Sequence, residues 1–98
     1  MILSNEPGYY REGAFGIRLE NLVAVREAPP IEGADAREML DFETLTFVPL
    51  DTRLIDPARL SPGERAWLNR YHAQVAERIG PRVGAAARAW LERATAPI

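Results

Sequence analysis

The stretch NEPGYYREGAFGIRLEN, Asn5 to Asn21, decides how this chain is read. Pro7-Gly8 is a turn signal. Gly13 and Gly16 bracket a second irregular point, where glycine permits backbone angles or close approaches that other residues do not. Two strands around a loop fit the segment. From Phe15 to Val25 the pattern has period 2, with Phe15, Ile17 and Leu19 on one face and Gly16, Arg18 and Glu20 on the other. Beyond Glu20, Leu22 falls on the acid's face and Val23 and Val25 on the opposite one, which predicts one continuous strand covered on both sides. An acid on such a strand must be compensated, and two arrangements do so. Arg18 can pair with Glu20 or Glu6 at a sheet surface. Alternatively, Glu6 and Glu20 can converge on hard divalent cations, with Arg18 orienting the carboxylates from behind. Two acids supply too few donors for a specific metal site, so the residues alone leave both arrangements open.

Working outward, Met1-Ile2-Leu3 is apolar and runs directly into this stretch, as if the chain entered in mid-fold. Between Arg26 and Arg37 the run EAPPIEGADA has no periodicity and reads as a surface loop. Phe42 to Leu50, FETLTFVPL, reads as a third strand that ends near Pro49, which has no N–H to give a ladder. Asp56-Pro57 and Ser61-Pro62-Gly63-Glu64 are successive helix starts, the second carrying a capping-box glutamate. That second start opens the main helix, whose stripe of Trp67, Tyr71, Val75 and Ile79, with Leu68 beside it, is stopped by Gly80-Pro81. A further helix over about Gly84 to Ala94 presents Trp90, Leu91 and Ala94. The expected fold class is α+β: antiparallel strands in residues 1–50, then two or three helices in residues 51–98.

With 98 residues there is room for one small core, and 47% hydrophobic with 27% charged residues is ordinary for a globular protein. The twelve basic residues are all arginine, scattered among fourteen acids to a net charge of −2, so no patch forms that would hold nucleic acid. There is no cysteine. No apolar run approaches the roughly 18 residues of a membrane span, and a cytoplasmic location is expected. His72, the single histidine, lies at the border of the helix stripe without an acid or second histidine at ligand spacing, and reads as a structural or solvent-edge residue. Trp67 and Trp90 read as core or interface anchors. Neither a nucleophile elbow nor a phosphate-binding glycine loop is present.

LSNEPGYYREGAFGIRLEN resembles the closing portion of the catalytic domain of the Xaa-Pro aminopeptidases (aminopeptidase P), which are pita-bread metallopeptidases. LDFETLTFVPLDTRLIDPARLSPGERAWLNRYHAQV resembles the C-terminal extension of the long, three-domain members. The resemblance implies a C-terminal part of the pita-bread fold plus that extension. It also implies an activity: hydrolysis of the bond between an N-terminal residue and a following proline, with two divalent ions, manganese by expectation, polarising the carbonyl and activating water. In that family two aspartates, one histidine and two glutamates hold the metal pair. The glutamate of the Glu-Pro-Gly motif matches Glu6, which would bind one ion and shuttle a proton. The glutamate of the Ile-Arg-Ile-Glu-Asn motif matches Glu20, which would bridge both ions, with Leu19 in place of the second isoleucine. Arg18 would stand behind the ligands and Tyr10 would line the pocket. The family's two aspartates and histidine have no counterparts. Asp35, Asp41, Asp51, Asp56 and His72 all follow the Glu-Pro-Gly motif, where the family's ligands precede it. The resemblance therefore implies a C-terminal fragment of a longer enzyme that alone neither holds the metals tightly nor cleaves peptides. The expected partners are a peptide with proline at its second position and further copies of the chain, as a homo-oligomer. The competing expectation is a non-catalytic dimerisation or interaction module of a pseudoenzyme from the same family.

Overall fold

The computed structural model describes residues 1–98. They form two units, Met1–Thr46 and Phe47–Ile98.

The first unit is built from five strands: β1 (Ile2–Asn5), β2 (Gly8–Arg11), β3 (Phe15–Arg18), β4 (Asn21–Glu27) and β5 (Leu40–Thr44). β2 and β3 form a hairpin, while β1, β4 and β5 form a second antiparallel sheet in that order. The hairpin turns at Gly13, whose φ of +70° lies in the left-handed region that glycine enters without steric cost. Gly8 and Gly16 have a different reason. A Cβ at either would come within 2.8 or 2.6 Å of the Tyr10 ring, which lies flat over both positions.

The two ladders share one register. β1 meets β4 from Ile2↔Ala24 to Asn5↔Asn21, and β2 meets β3 from Gly8↔Arg18 to Arg11↔Phe15. Continuing that register through the step between them sets Pro7 opposite Leu19 and Glu6 opposite Glu20. The expected continuous strand from Phe15 to Val25 is thus two strands, interrupted at Leu19-Glu20. Pro7 accounts for the interruption, because it has no N–H to return to the ladder. Its carbonyl still accepts from the Leu19 N–H at 3.1 Å. Past the break, β4 also pairs β5, with Val23↔Thr44 through Glu27↔Leu40. Arg26 and Asp41, opposite one another, form a two-pronged pair at 2.7 and 3.1 Å. β5 is shorter than the expected Phe42–Leu50 strand. It stops at Thr44, well before Pro49: the Leu45 N–H still donates to the Leu22 carbonyl at 2.9 Å, but the Leu22 N–H is taken by the Thr46 side-chain hydroxyl at 2.9 Å. Both faces of β4 were expected to be covered, yet Val23, Ala24 and Val25 are half-buried and Leu22 is exposed. Ile2, Leu40 and Phe42 are exposed as well, and every fully buried apolar side chain of the chain belongs to the second unit.

That unit begins with an extended strap, Phe47–Leu50. Two single 3-10 turns follow, Thr52–Leu54 and Pro57–Arg59, capped by Asp51 and Asp56. The Asp56-Pro57 start therefore yields one turn instead of a helix. α1 (Pro62–Ile79) opens with a complete capping box: the Ser61 Oγ accepts from the Glu64 N–H at 3.2 Å, and the Glu64 carboxylate accepts from the Ser61 N–H at 2.8 Å. α2 (Ala85–Ala94) follows a short 3-10 turn at Gly80–Arg82. Between them the Arg88 guanidinium donates twice to the Gly80 carbonyl, at 3.0 and 2.8 Å, satisfying an acceptor that the end of α1 leaves free. The core consists of Tyr71, Val75 and Leu91, with Phe47, Leu50 and Ile79 packed against it. The buried face of α1 is Leu68, Tyr71, His72 and Val75, the i, i+3, i+4, i+7 spacing of one helix side. The expected stripe is displaced from it. Trp67 is 43% exposed and stacks flat on Tyr71. On α2, Leu91 turns inward while Trp90 remains 56% exposed, so of the pair only Leu91 anchors this core.

Candidate functional site

Glu6, Arg18 and Glu20 come together where the ladder is interrupted. Glu6 lies in the link from β1 to β2, and Glu20 in the link from β3 to β4. The shared register puts the two acids opposite one another, a placement in which like charges repel. Arg18 relieves the repulsion. Its Nη1 lies 3.3 Å from Glu6 Oε2 and its Nη2 lies 3.0 Å from Glu20 Oε2, so one guanidinium bridges both carboxylates. The three side chains are each nearly half exposed. Glu20 above all, then the Tyr10 hydroxyl and Glu6, raises the pKa of Arg18 above its ordinary value.

Tyr10 enters the cluster through that hydroxyl, which helps to raise the pKa of the guanidinium while the ring rests on Gly8 and Gly16. Two further groups were not singled out in the sequence. The Ser4 Oγ donates to Glu6 Oε1 at 2.7 Å, and the Asn5 Nδ2 donates to Asn21 Oδ1 at 3.1 Å across the ladder. The signal for both was register. Once Glu6 is set opposite Glu20, Asn5 must meet Asn21 one step away, and Ser4 shares the side of the strand on which Glu6 lies.

The donor chemistry of Glu6 and Glu20 suits a hard divalent ion, which prefers carboxylate oxygens. The number of donors does not complete a shell. No third aspartate, glutamate, histidine or cysteine joins the two, and no group of three such residues occurs anywhere in the chain. His72 is far from solvent as well as from this cluster in sequence. It is fully buried in the second unit, so of its two expected settings the structural one applies. The chain thus gathers two carboxylates on the one guanidinium of Arg18, fewer donors than a metal shell needs.

A family model described as the C-terminal region of peptidase_M24 matches residues 38–98. Among curated proteins, Aminopeptidase P2 of Arabidopsis thaliana is 46% identical over 100% of this chain and 14% of its own length. A protein of Tuber melanosporum (strain Mel28) named "Probable Xaa-Pro aminopeptidase P" is 44% identical over 100% of this chain and 16% of its own. Among solved structures, the crystal structure of X-prolyl aminopeptidase from Caenorhabditis elegans superposes with a TM-score of 0.85 and 37% identity, covering 99% of this chain and 16% of that one. That protein is described as a cytosolic enzyme with a di-nuclear active site. The chain therefore spans about one sixth or less of the relatives it matches. The superposition bears out the expected α+β class and the likeness to the last part of the pita-bread fold. Motif, tertiary structure and family match agree: the chain belongs to the peptidase M24 family, corresponds to its C-terminal region, and is similar there to Xaa-Pro aminopeptidases.

Proposed function

We propose that this chain is the C-terminal portion of a dinuclear aminopeptidase that releases an N-terminal residue from a peptide with proline at the second position. The observation that carries the proposal is the convergence of Glu6 and Glu20 on the single guanidinium of Arg18. In this reading both carboxylates would help to hold the metal pair, and the remaining ligands would come from sequence outside residues 1–98. When bound, the metal pair, manganese in our reading, would polarise the scissile carbonyl and lower the pKa of water.

The chain's own residues do the rest. Glu6 takes and returns a proton during attack, because it is solvent-accessible and its Oε1 already accepts from the Ser4 hydroxyl. Arg18 fixes the separation of the two acids and offsets their charge. The Tyr10 ring, packed on two glycines, keeps the guanidinium in place and walls one side of the site. The exposed apolar faces of the first unit are covered by other polypeptide in this reading, either the remainder of the enzyme or a second copy. The 98-residue chain alone is inactive. The relative's description favours a cytosolic setting, and no helix here is long and apolar enough to cross a membrane.

The test replaces the matching segment of the C. elegans enzyme with this chain and measures metal content and cleavage of a proline-second peptide. Expected results are two bound ions, turnover, and loss of about 100-fold or more in rate for Glu6→Gln, the scale of one positioned proton-transfer group. A folded, metal-loaded chimera whose rate is unchanged by Glu6→Gln or Glu20→Gln overturns the assignment and leaves a non-catalytic interaction module. For the chain alone, calorimetric titration with manganese is expected to show no tight binding.

A further inference from the structure

One buried titratable group is not used by the site just described. His72 has no exposed surface. Its Nε2 accepts the N–H of Leu50 at 3.0 Å, so the proton of the neutral ring sits on Nδ1. Nδ1 is buried and meets no protein acceptor. One residue earlier, the Tyr71 hydroxyl donates to the Val48 carbonyl at 2.8 Å and accepts from the Val48 N–H at 3.3 Å. Consecutive residues of α1 thus hold alternate residues of the Phe47–Leu50 strap. The strap is the first segment of the second unit, immediately after the strand-bearing one. Its outer end is held by apolar packing and by Arg78, whose guanidinium lies 4.3 Å from the centre of the Phe47 ring.

We propose that His72 is a pH-operated latch, in which protonation of its ring releases the Leu50 end of the strap from α1. The reason is geometric. A second ring proton must go on Nε2, where it would face the Leu50 N–H donor to donor, and a full charge would then occupy a site without solvent. Burial lowers the pKa of His72 from the ordinary 6.5. The neutral ring belongs to the latched state, so the latch is at full strength above the ordinary value and weakens as pH falls below it. Nearby charges do not oppose this. Tyr71, the titratable neighbour on α1, is pushed above its ordinary value by burial and stays neutral throughout. At the end of the strap, Asp51 is engaged by Arg53, and on α2 Arg88 is engaged by the Gly80 carbonyl. Released, the strap loosens at the start of the second unit, which places a response to acid in the segment of chain that follows the strands of the first unit.

The test is NMR on the 98-residue chain from about pH 7.5 to about pH 5, the window in which histidine changes charge. Ring 15N shifts of His72 and amide exchange at Val48, Leu50 and Val75 are followed together. At the upper end the Nε2 shift is that of an unprotonated nitrogen and the Leu50 amide is protected. As the ring protonates, Leu50 protection, corrected for intrinsic exchange, is expected to fall about tenfold relative to Val75, the equivalent of one lost hydrogen bond. His72→Gln keeps an acceptor near the Nε2 position and cannot titrate, so its Leu50 protection is expected to be level with pH. The proposal is overturned if Leu50 stays protected while His72 titrates, if His72 remains unprotonated across the whole window, or if His72→Gln shows the same loss. Should His72→Gln not fold, coincidence of the His72 midpoint with the Leu50 change in the unaltered chain decides the matter alone.

Discussion

Leu91→Ala tests whether the second unit is organised as described. Leu91 is 4% exposed and closes the core with Tyr71 and Val75. α2 has only ten residues, fewer than the roughly 12–15 needed for a helix to persist alone in water. Its start at Gly84 has no side-chain cap, so docking must stabilise it. The substitution removes three buried carbons at about 0.8 kcal/mol each, a transfer loss of about 2.4 kcal/mol. Incomplete closure of the void brings the total to about 3–4 kcal/mol. Set against the roughly 5–15 kcal/mol that holds a domain folded, this is a large share. With a urea dependence of about 1.5–2 kcal/mol per molar, the midpoint should drop by about 2 M. Urea unfolding followed by fluorescence of Trp67 and Trp90, together with far-ultraviolet circular dichroism, reads the shift. Glu92→Ala, on the exposed side of the same turn, is the control and should stay within about 0.5 kcal/mol. A midpoint that moves by less than about 0.5 M for Leu91→Ala, with the slope unchanged, would refute the claim that this side chain docks the helix.

Gly13→Ala meets no atom within 4 Å but must adopt a φ near +70°, so it should destabilise the hairpin by about 1 kcal/mol through backbone strain alone, seen as faster amide exchange at Ala14. Ser61→Ala removes the acceptor for the Glu64 N–H and should cost about 1 kcal/mol in thermal or urea unfolding, with fraying confined to the first turn of α1. Asp51 is held down to about 2 by the Arg53 guanidinium and N–H. Because this lies below the ordinary 3.8, its stabilisation is present above that value and fades as pH falls toward 2. Arg53→Ala should return Asp51 toward the ordinary carboxylate range in a carbon-detected NMR titration.

Some of this protein can be read locally. The limits of α1 follow from Ser61-Pro62 with Glu64 at one end and Gly80-Pro81 at the other, because caps and prolines act over a few residues of backbone. The hairpin follows from glycine spacing and the period-2 pattern. The pairing of Arg18 with either acid, one of two arrangements the residues left open, is present with both acids engaged together. Other features were not legible because their causes lie far away along the chain. The strand break at Leu19-Glu20 reflects Pro7 across the ladder, and the early stop of β5 reflects the Leu22 N–H being taken by the Thr46 side chain. His72 looked peripheral on a helical wheel, yet it is enclosed. A strap that arrives from more than twenty positions earlier covers that side of α1 and presents an N–H to the ring.

From sequence alone came the residue types, the helix ends and the motif that holds the acids, all of which depend on neighbours a few positions apart. Tertiary structure decided which face of each helix is buried, where the ribbon breaks, and that Glu6 stands across from Glu20 with one arginine between them. Register and burial are set by which distant segments meet, and a pattern of period 2 or 3.6 carries no record of its partner.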